Sequence, residues 1–219
     1  MEWLSKQGGG FYMEKINWND FKGDNCVIDG YRTLRANIFT TAMDKQGKVF
    51  TITGLALNSE QSKVCSGLAA VMAETGKKIL LIDGNSTMPV QHMLFDISNQ
   101  GLTDCLVNDM DYHNYVQRCF DWDSLDILPI GSFASNLSGW FCGENFHNLL
   151  QKVCIEYDYV LIELAPVTTV SDAVVVAPIT DGVLLVVTKG KDKLDSLKVA
   201  KTKLLNVGAK VIGCIVNRA

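Results

Sequence analysis

A turn between an apolar run and a helical run is the first place where this chain offers chemistry. Residues 49–53 read V-F-T-I-T, the loop G-L-A-L-N-S-E-Q follows, and S-K-V-C-S-G-L-A-A-V-M-A-E-T-G continues with helical spacing. Backbone N–H groups at a helix start, together with the positive end of the helix dipole, favour an anion, so phosphate is the ligand class the place invites. The side chains there are Asn58, Ser59, Glu60, Gln61, Ser62 and Lys63. The next apolar run, K-K-I-L-L-I-D, closes on Asp83, which is placed to cap a helix near Pro89.

The elements that hold these residues follow from pattern. A β-branched and aromatic run, a turn, an amphipathic helix ending at Gly76 and a second apolar run form a β-α-β unit, which requires a parallel sheet. Further buried strands are expected in L-D-I-L-P-I (125–130), Y-D-Y-V-L-I-E-L (157–164), V-L-L-V-V (183–187) and V-I-G-C-I-V-N-R (211–218). Between the last two, the spacing predicts a helix ending at Gly208, with Leu194, Leu197, Leu204 and Leu205 on one apolar face and lysines 191, 193, 198, 201 and 203 solvated. Asp29 opens another helix, with Leu34, Ile38 and Ala42 in one stripe and Arg32 and Arg35 outside it. Taken alone, these polar residues read as an N-cap and two solvated arginines. Residues 1–28 mix Gly8-Gly9-Gly10 with Trp3, Trp18 and Phe21 and show no period. A loosely packed arm is preferred there over a docking segment for a partner, because triple glycine destabilises regular structure.

Length and composition bound the rest. At 219 residues and 47% hydrophobic, the chain is the size of one α/β domain, here 29–219 after the arm. The net charge of −4 and the lack of a lysine-rich run give no reason to expect nucleic acid as a partner. Seven scattered cysteines without a C-x-x-C pair read as reduced residues of a cytoplasmic protein. No run approaches the roughly 18 apolar residues of a membrane span.

Laid without a gap from Gly47 to about Asn85, the sequence resembles the nucleotide-binding core of bacterial tyrosine kinases (BY-kinases), relatives of the ParA/MinD-type ATPases. G-K-V before the first strand, L-A-A-V-M-A-E-T-G-K-K at the helix end and L-L-I-D after it carry the match, which extends over about residues 29–218. The resemblance implies a P-loop NTPase-like α/β fold: a doubly wound, mostly parallel sheet with helices on both faces. It also implies ATP and Mg²⁺ as cofactors, and as partner a membrane-spanning chain-length regulator of capsular or exopolysaccharide export. Asp29, Arg32 and Arg35 match the family's Glu-x-x-Arg-x-x-Arg helix, which joins subunits into a ring, so a homo-oligomer is implied and stands beside the cap reading. Asn217 matches the residue that reads adenine in the superfamily; as an asparagine at a strand end it also reads as a turn residue.

The phosphate loop departs from the family. Where Pro-Gly-Glu-Gly-Lys-Ser-Thr is expected, residues 57–63 read L-N-S-E-Q-S-K. Glu60 puts a Cβ and a negative charge at a glycine position, and Gln61 replaces the ammonium that meets the β/γ-phosphates with a neutral amide. Ser62 keeps the magnesium-side hydroxyl. After Asp83, the family's second acid is Asn85 and its arginine pair is Thr87 and Met88. The Walker B aspartate is Glu163, one carbon longer. Phosphoryl transfer depends on charge stabilisation and positioning, so these changes predict a degenerate family member that acts by assembly or by binding a partner, without ATP turnover. The alternative is an active ATP-dependent protein tyrosine autokinase with a rebuilt site. A ParA-like positioning protein would need switch lysines that are absent.

Overall fold

The computed structural model describes residues 4–7, 10–13, 25–41, 48–57, 60–108, 110–132 and 137–218. In chain order the elements that position the site are β1 (Leu4–Gln7), β2 (Gly10–Met13), α1 (Asn25–Thr41), β3 (Lys48–Gly54), α2 (Glu60–Ala73), β4 (Ile79–Gly84), α3 (Gln91–Phe95) and α4 (Leu102–Asn108). They continue with β5 (Gln117–Arg118), β6 (Leu125–Leu128), α5 (Leu137–Phe141), α6 (Glu144–Glu156), β7 (Tyr159–Leu164), α7 (Asp172–Val176), β8 (Gly182–Lys189), α8 (Leu194–Asn206) and β9 (Val211–Arg218).

Seven strands form one sheet in the order β5-β6-β4-β7-β3-β8-β9, parallel except for β5, which runs antiparallel to β6. Strands β3, β4 and β7 are buried along their whole length, as their unbroken apolar runs require in a sheet covered on both faces. One face packs against α1, α2 and α3 through Ile38, Leu68, Met72 and Leu94; the other buries Leu102, Phe146, Leu149 and Leu204 of the remaining helices. Both faces thus carry a core, the doubly wound arrangement expected from the sequence. Strands β3 and β4 of the β-α-β unit are not neighbours: β7 lies between them and pairs with both.

Three sequence expectations change. Residues 4–7 and 10–13 of the arm form an antiparallel pair closed by Gln7 and Gly10. The two glycines between them are a hairpin signal, which outweighs the general reading of glycine as a breaker. Residues 25–28 of the arm already belong to α1, while residues 1–3, 8–9 and 14–24, including Trp3, Trp18 and Phe21, lie outside the described residues, as does Ala42. Helix α1 begins at Asn25, so Asp29 sits one turn inside it and is not its N-cap. In α8 only Ala200 and Leu204 are fully buried; Leu194 and Leu205 of the predicted apolar face are exposed.

Candidate functional site

The site lies where the carboxyl ends of β4, β7 and β3 meet the start of α2. Parallel pairing of β4 with β7 sets Asp83 opposite Glu163, and β3 on the other side of β7 brings the loop into α2 over both. The two carboxylates, 80 residues apart in the chain, are both fully buried. Crevices at strand ends where the chain order reverses are where α/β sheets hold ligands.

Here the crevice is filled by the chain's own polar groups. Glu163 Oε1 accepts from Ser62 Oγ at 2.6 Å, Asn85 Nδ2 at 3.0 Å and Gln61 Nε2 at 3.1 Å, and Oε2 accepts from Gln91 Nε2 at 2.5 Å. Gln61 Nε2 also donates to the Leu164 carbonyl at 2.6 Å. Its Oε1 has no hydrogen-bond partner and points at Gly54, where a Cβ would come within 2.5 Å of it. Gln91 is braced in turn: Nε2 reaches the Ser62 carbonyl at 3.1 Å, and Oε1 accepts from Ser66 Oγ at 2.7 Å.

Asp83 is held by backbone. Its Oδ1 accepts from Asn85 N at 3.0 Å and its Oδ2 from Gln91 N at 3.2 Å, so it caps α3 as the sequence allowed. Burial pushes the Asp83 carboxyl well above the usual range and the Glu163 charge pushes the same way, while N–H groups of Asn85, Gln91 and Val90 oppose them. Burial also raises Glu163, against four side-chain donors that favour its ionised form. The four side-chain donors favour the charge on Glu163, whereas the Asp83 carboxyl is raised further. Among the described residues, the hydrogen-bond donors to the pair are amides, a hydroxyl and backbone N–H groups, and none is cationic.

The remaining predicted residues divide. Glu60 Oε2 accepts from Asn217 Nδ2 at 2.8 Å, and Glu60 Oε1 lies 3.8 Å from Lys63 Nζ, so Glu60 ties the first turn of α2 to the end of β9. Asn58 and Ser59 lie outside the described residues. Asp29, Arg32 and Arg35 stand apart on α1. Arg32 pairs with Asp29 at 3.4 Å on the surface, whereas Arg35 turns inward, donating to the Val71 carbonyl at 2.6 Å and lying 3.7 Å from Glu74. No group of three or more His, Cys, Asp or Glu side chains able to hold a metal occurs among the described residues.

No family model matches the chain. It is 32% identical over 188 residues to the tyrosine-protein kinase YwqD of Bacillus subtilis, covering 85% of this chain and 79% of that protein. The chain belongs to the bacterial tyrosine-protein kinase family. The kinase domain of the Escherichia coli tyrosine kinase ETK superposes with a TM-score of 0.87 at 26% identity, over 98% of this chain and 84% of that one. Aquifex aeolicus MinD, at 19% identity, TM-score 0.62 and coverage of 78% of this chain and 70% of that one, shares the fold. Set against this tyrosine-kinase family, the network has two members that sequence reasoning missed. Gln91 and Ser66 are polar residues inside apolar helical runs, and that misplacement was the signal. A second cluster stands beside the network: Asp172 at the start of α7 is buried and accepts from Ser86 at 2.5 Å and from Ser138, joining the β4 loop to α5.

Proposed function

We propose that this tyrosine-kinase-family chain has given up nucleotide turnover and acts in the cytoplasm as a regulatory or scaffolding partner in capsular or exopolysaccharide biosynthesis and export. Its partner there is a membrane-spanning chain-length regulator. No described helix is long and apolar enough to cross a membrane. The reading rests on one observation above the others: the Gln61 amide, at the position of the phosphate-binding lysine, is bonded to Glu163 and to the Leu164 carbonyl. The hydroxyl and carboxylate that a Mg²⁺ ion would need, Ser62 and Glu163, are bonded to each other. A triphosphate would face the Glu163 charge with no cation between them, so the residues present do not fit Mg-ATP.

The active autokinase is supported by the names of the relatives, and one measurement separates the two. A ligand raises the melting temperature only by occupying the native state. Millimolar Mg-ATP is expected to leave the melting temperature unchanged; a rise of several degrees at micromolar ATP would overturn the proposal in favour of the active kinase. Oligomerisation through α1 belongs to the same reading. Arg32 is its exposed contact, and light scattering on Arg32→Ala is expected to report a shift towards monomer.

A further inference from the structure

Two surfaces at opposite ends of the sheet complement each other. At the β9 end, Leu194 and Leu205 of α8 are 67% and 51% exposed. With Lys198 and Lys201 between them, at i+4 and i+7, they make one stripe along the helix. Helix α8 packs on the outermost strand, β9. Cys214 is exposed and Val216 is 63% exposed. They alternate with Ile215 and Asn217, which face the other side of the sheet. Strand β9 pairs with β8 alone among the described strands and has no charged residue from 211 to 217, so it lacks the usual protection of a sheet edge.

The charge around this edge is concentrated. Seven lysines and two aspartates lie between 189 and 210, a local charge of +5 in a chain of net −4, which leaves −9 on the remainder. At the other end of the sheet, the loop between β5 and β6 carries Phe120, 99% exposed, followed by exposed Asp121 and Asp123. The phenyl ring lies wholly in water beside two acids, so an apolar group and negative charge are presented together.

We propose that these surfaces meet between copies of this chain. Phe120 of one copy seats against Leu194 and Val216 of the next, while Asp121 and Asp123 face Lys201 and Lys198, the latter paired with Asp195 at 3.2 Å in the free chain. The occupant is a second copy because the ring and the complementary charge both belong to this chain. A contact between unlike faces of identical subunits is heterologous and propagates head to tail, and it uses none of the α1 residues.

Sedimentation velocity on the full chain tests this. Association is expected to grow with concentration and to weaken with added salt. Phe120→Ala and the pair Lys198→Glu with Lys201→Glu are each expected to weaken it by about tenfold or more. Mixing the lysine-reversed protein with Asp121→Lys, Asp123→Lys is expected to restore it. Phe120→Cys should then cross-link to the native Cys214 of a neighbouring copy under mild oxidation, and Phe120→Cys with Cys214→Ser should not. The inference is overturned by a chain that stays monomeric at every concentration, or by association that responds to Arg32→Ala but to neither edge. It is overturned equally if the monomer binds phosphatidylglycerol vesicles through Lys198 and Lys201, which would make the stripe a lipid contact.

Discussion

Removing the Glu163 carboxylate tests whether the filled crevice is a structural keystone. In Glu163→Ala, four donors lose their common acceptor, but not equally. Gln61 Nε2 keeps the Leu164 carbonyl and Gln91 Nε2 keeps the Ser62 carbonyl, while Ser62 Oγ and Asn85 Nδ2 have no other acceptor in the network. Two stranded buried donors at about 1–3 kcal/mol each, with a small cavity added and a buried charge relieved, give an expected loss of about 3–5 kcal/mol. Glu163→Gln should behave differently. Its carbonyl oxygen can keep the three bonds at Oε1, and its amide can donate to Gln91 if that side chain turns over. The turned Gln91 then donates to Ser66 Oγ, and only its bond to the Ser62 carbonyl is lost. The cost of about 1 kcal/mol is offset by removal of a buried charge, so this variant is expected within about 1 kcal/mol of the parent at neutral pH.

The pH dependence has a definite sign. The folded-state carboxyls of Asp83 and Glu163 titrate above their ordinary values of 3.8 and 4.5. Stability from holding those protons is complete below the ordinary values and is lost as pH rises through the folded ones. Glu163→Gln lacks one of these sites, so its stability relative to the parent should increase as pH rises. Urea denaturation followed by circular dichroism at several pH values measures both effects, with the slope checked for constancy. An alanine variant within about 1 kcal/mol of the parent, or a glutamine variant as damaged as alanine, would refute the reasoning.

Three further outcomes are expected. Arg35→Ala should cost about 1.5–3 kcal/mol, because it breaks a charged hydrogen bond between α1 and the Val71 carbonyl, while Arg32→Ala, losing a surface pair, should cost under about 0.5 kcal/mol; denaturation midpoints compare them. His113 lies 2.6 Å from Asp111 and 2.8 Å from Glu156, and these bonds raise its pKa above 6.5. The stability it contributes is therefore complete below that value and is lost as pH rises through the folded one, and His113→Asn should flatten that part of the stability profile. The triple change Asn58→Gly, Glu60→Gly and Gln61→Lys returns loop freedom and an ammonium, so calorimetry should detect ATP binding. A phosphotyrosine blot should stay blank, because Asn85, Thr87, Met88 and Glu163 still leave the transition-state charge unsupported.

Periodicity alone made the strands and long helices legible, because buried parallel strands read as unbroken apolar runs and a helix between them needs one apolar face. The substitutions at Glu60, Gln61, Asn85 and Glu163 were visible for the same local reason: each replaces a residue type that phosphate or metal chemistry requires. Chain connectivity could not be read this way. That β7 enters between β3 and β4 depends on contacts among residues about 80 to 110 positions apart, and that insertion alone puts Glu163 opposite Asp83 and under Gln61. Gln91 and Ser66 became site residues for the same reason, and Asn217 meets Glu60 across 157 positions. The apolar pattern of α8 had the right residues but not their fate. A helix on the outermost strand has sheet beneath only part of its face, so Leu204 is buried while Leu194 and Leu205 stay in solvent.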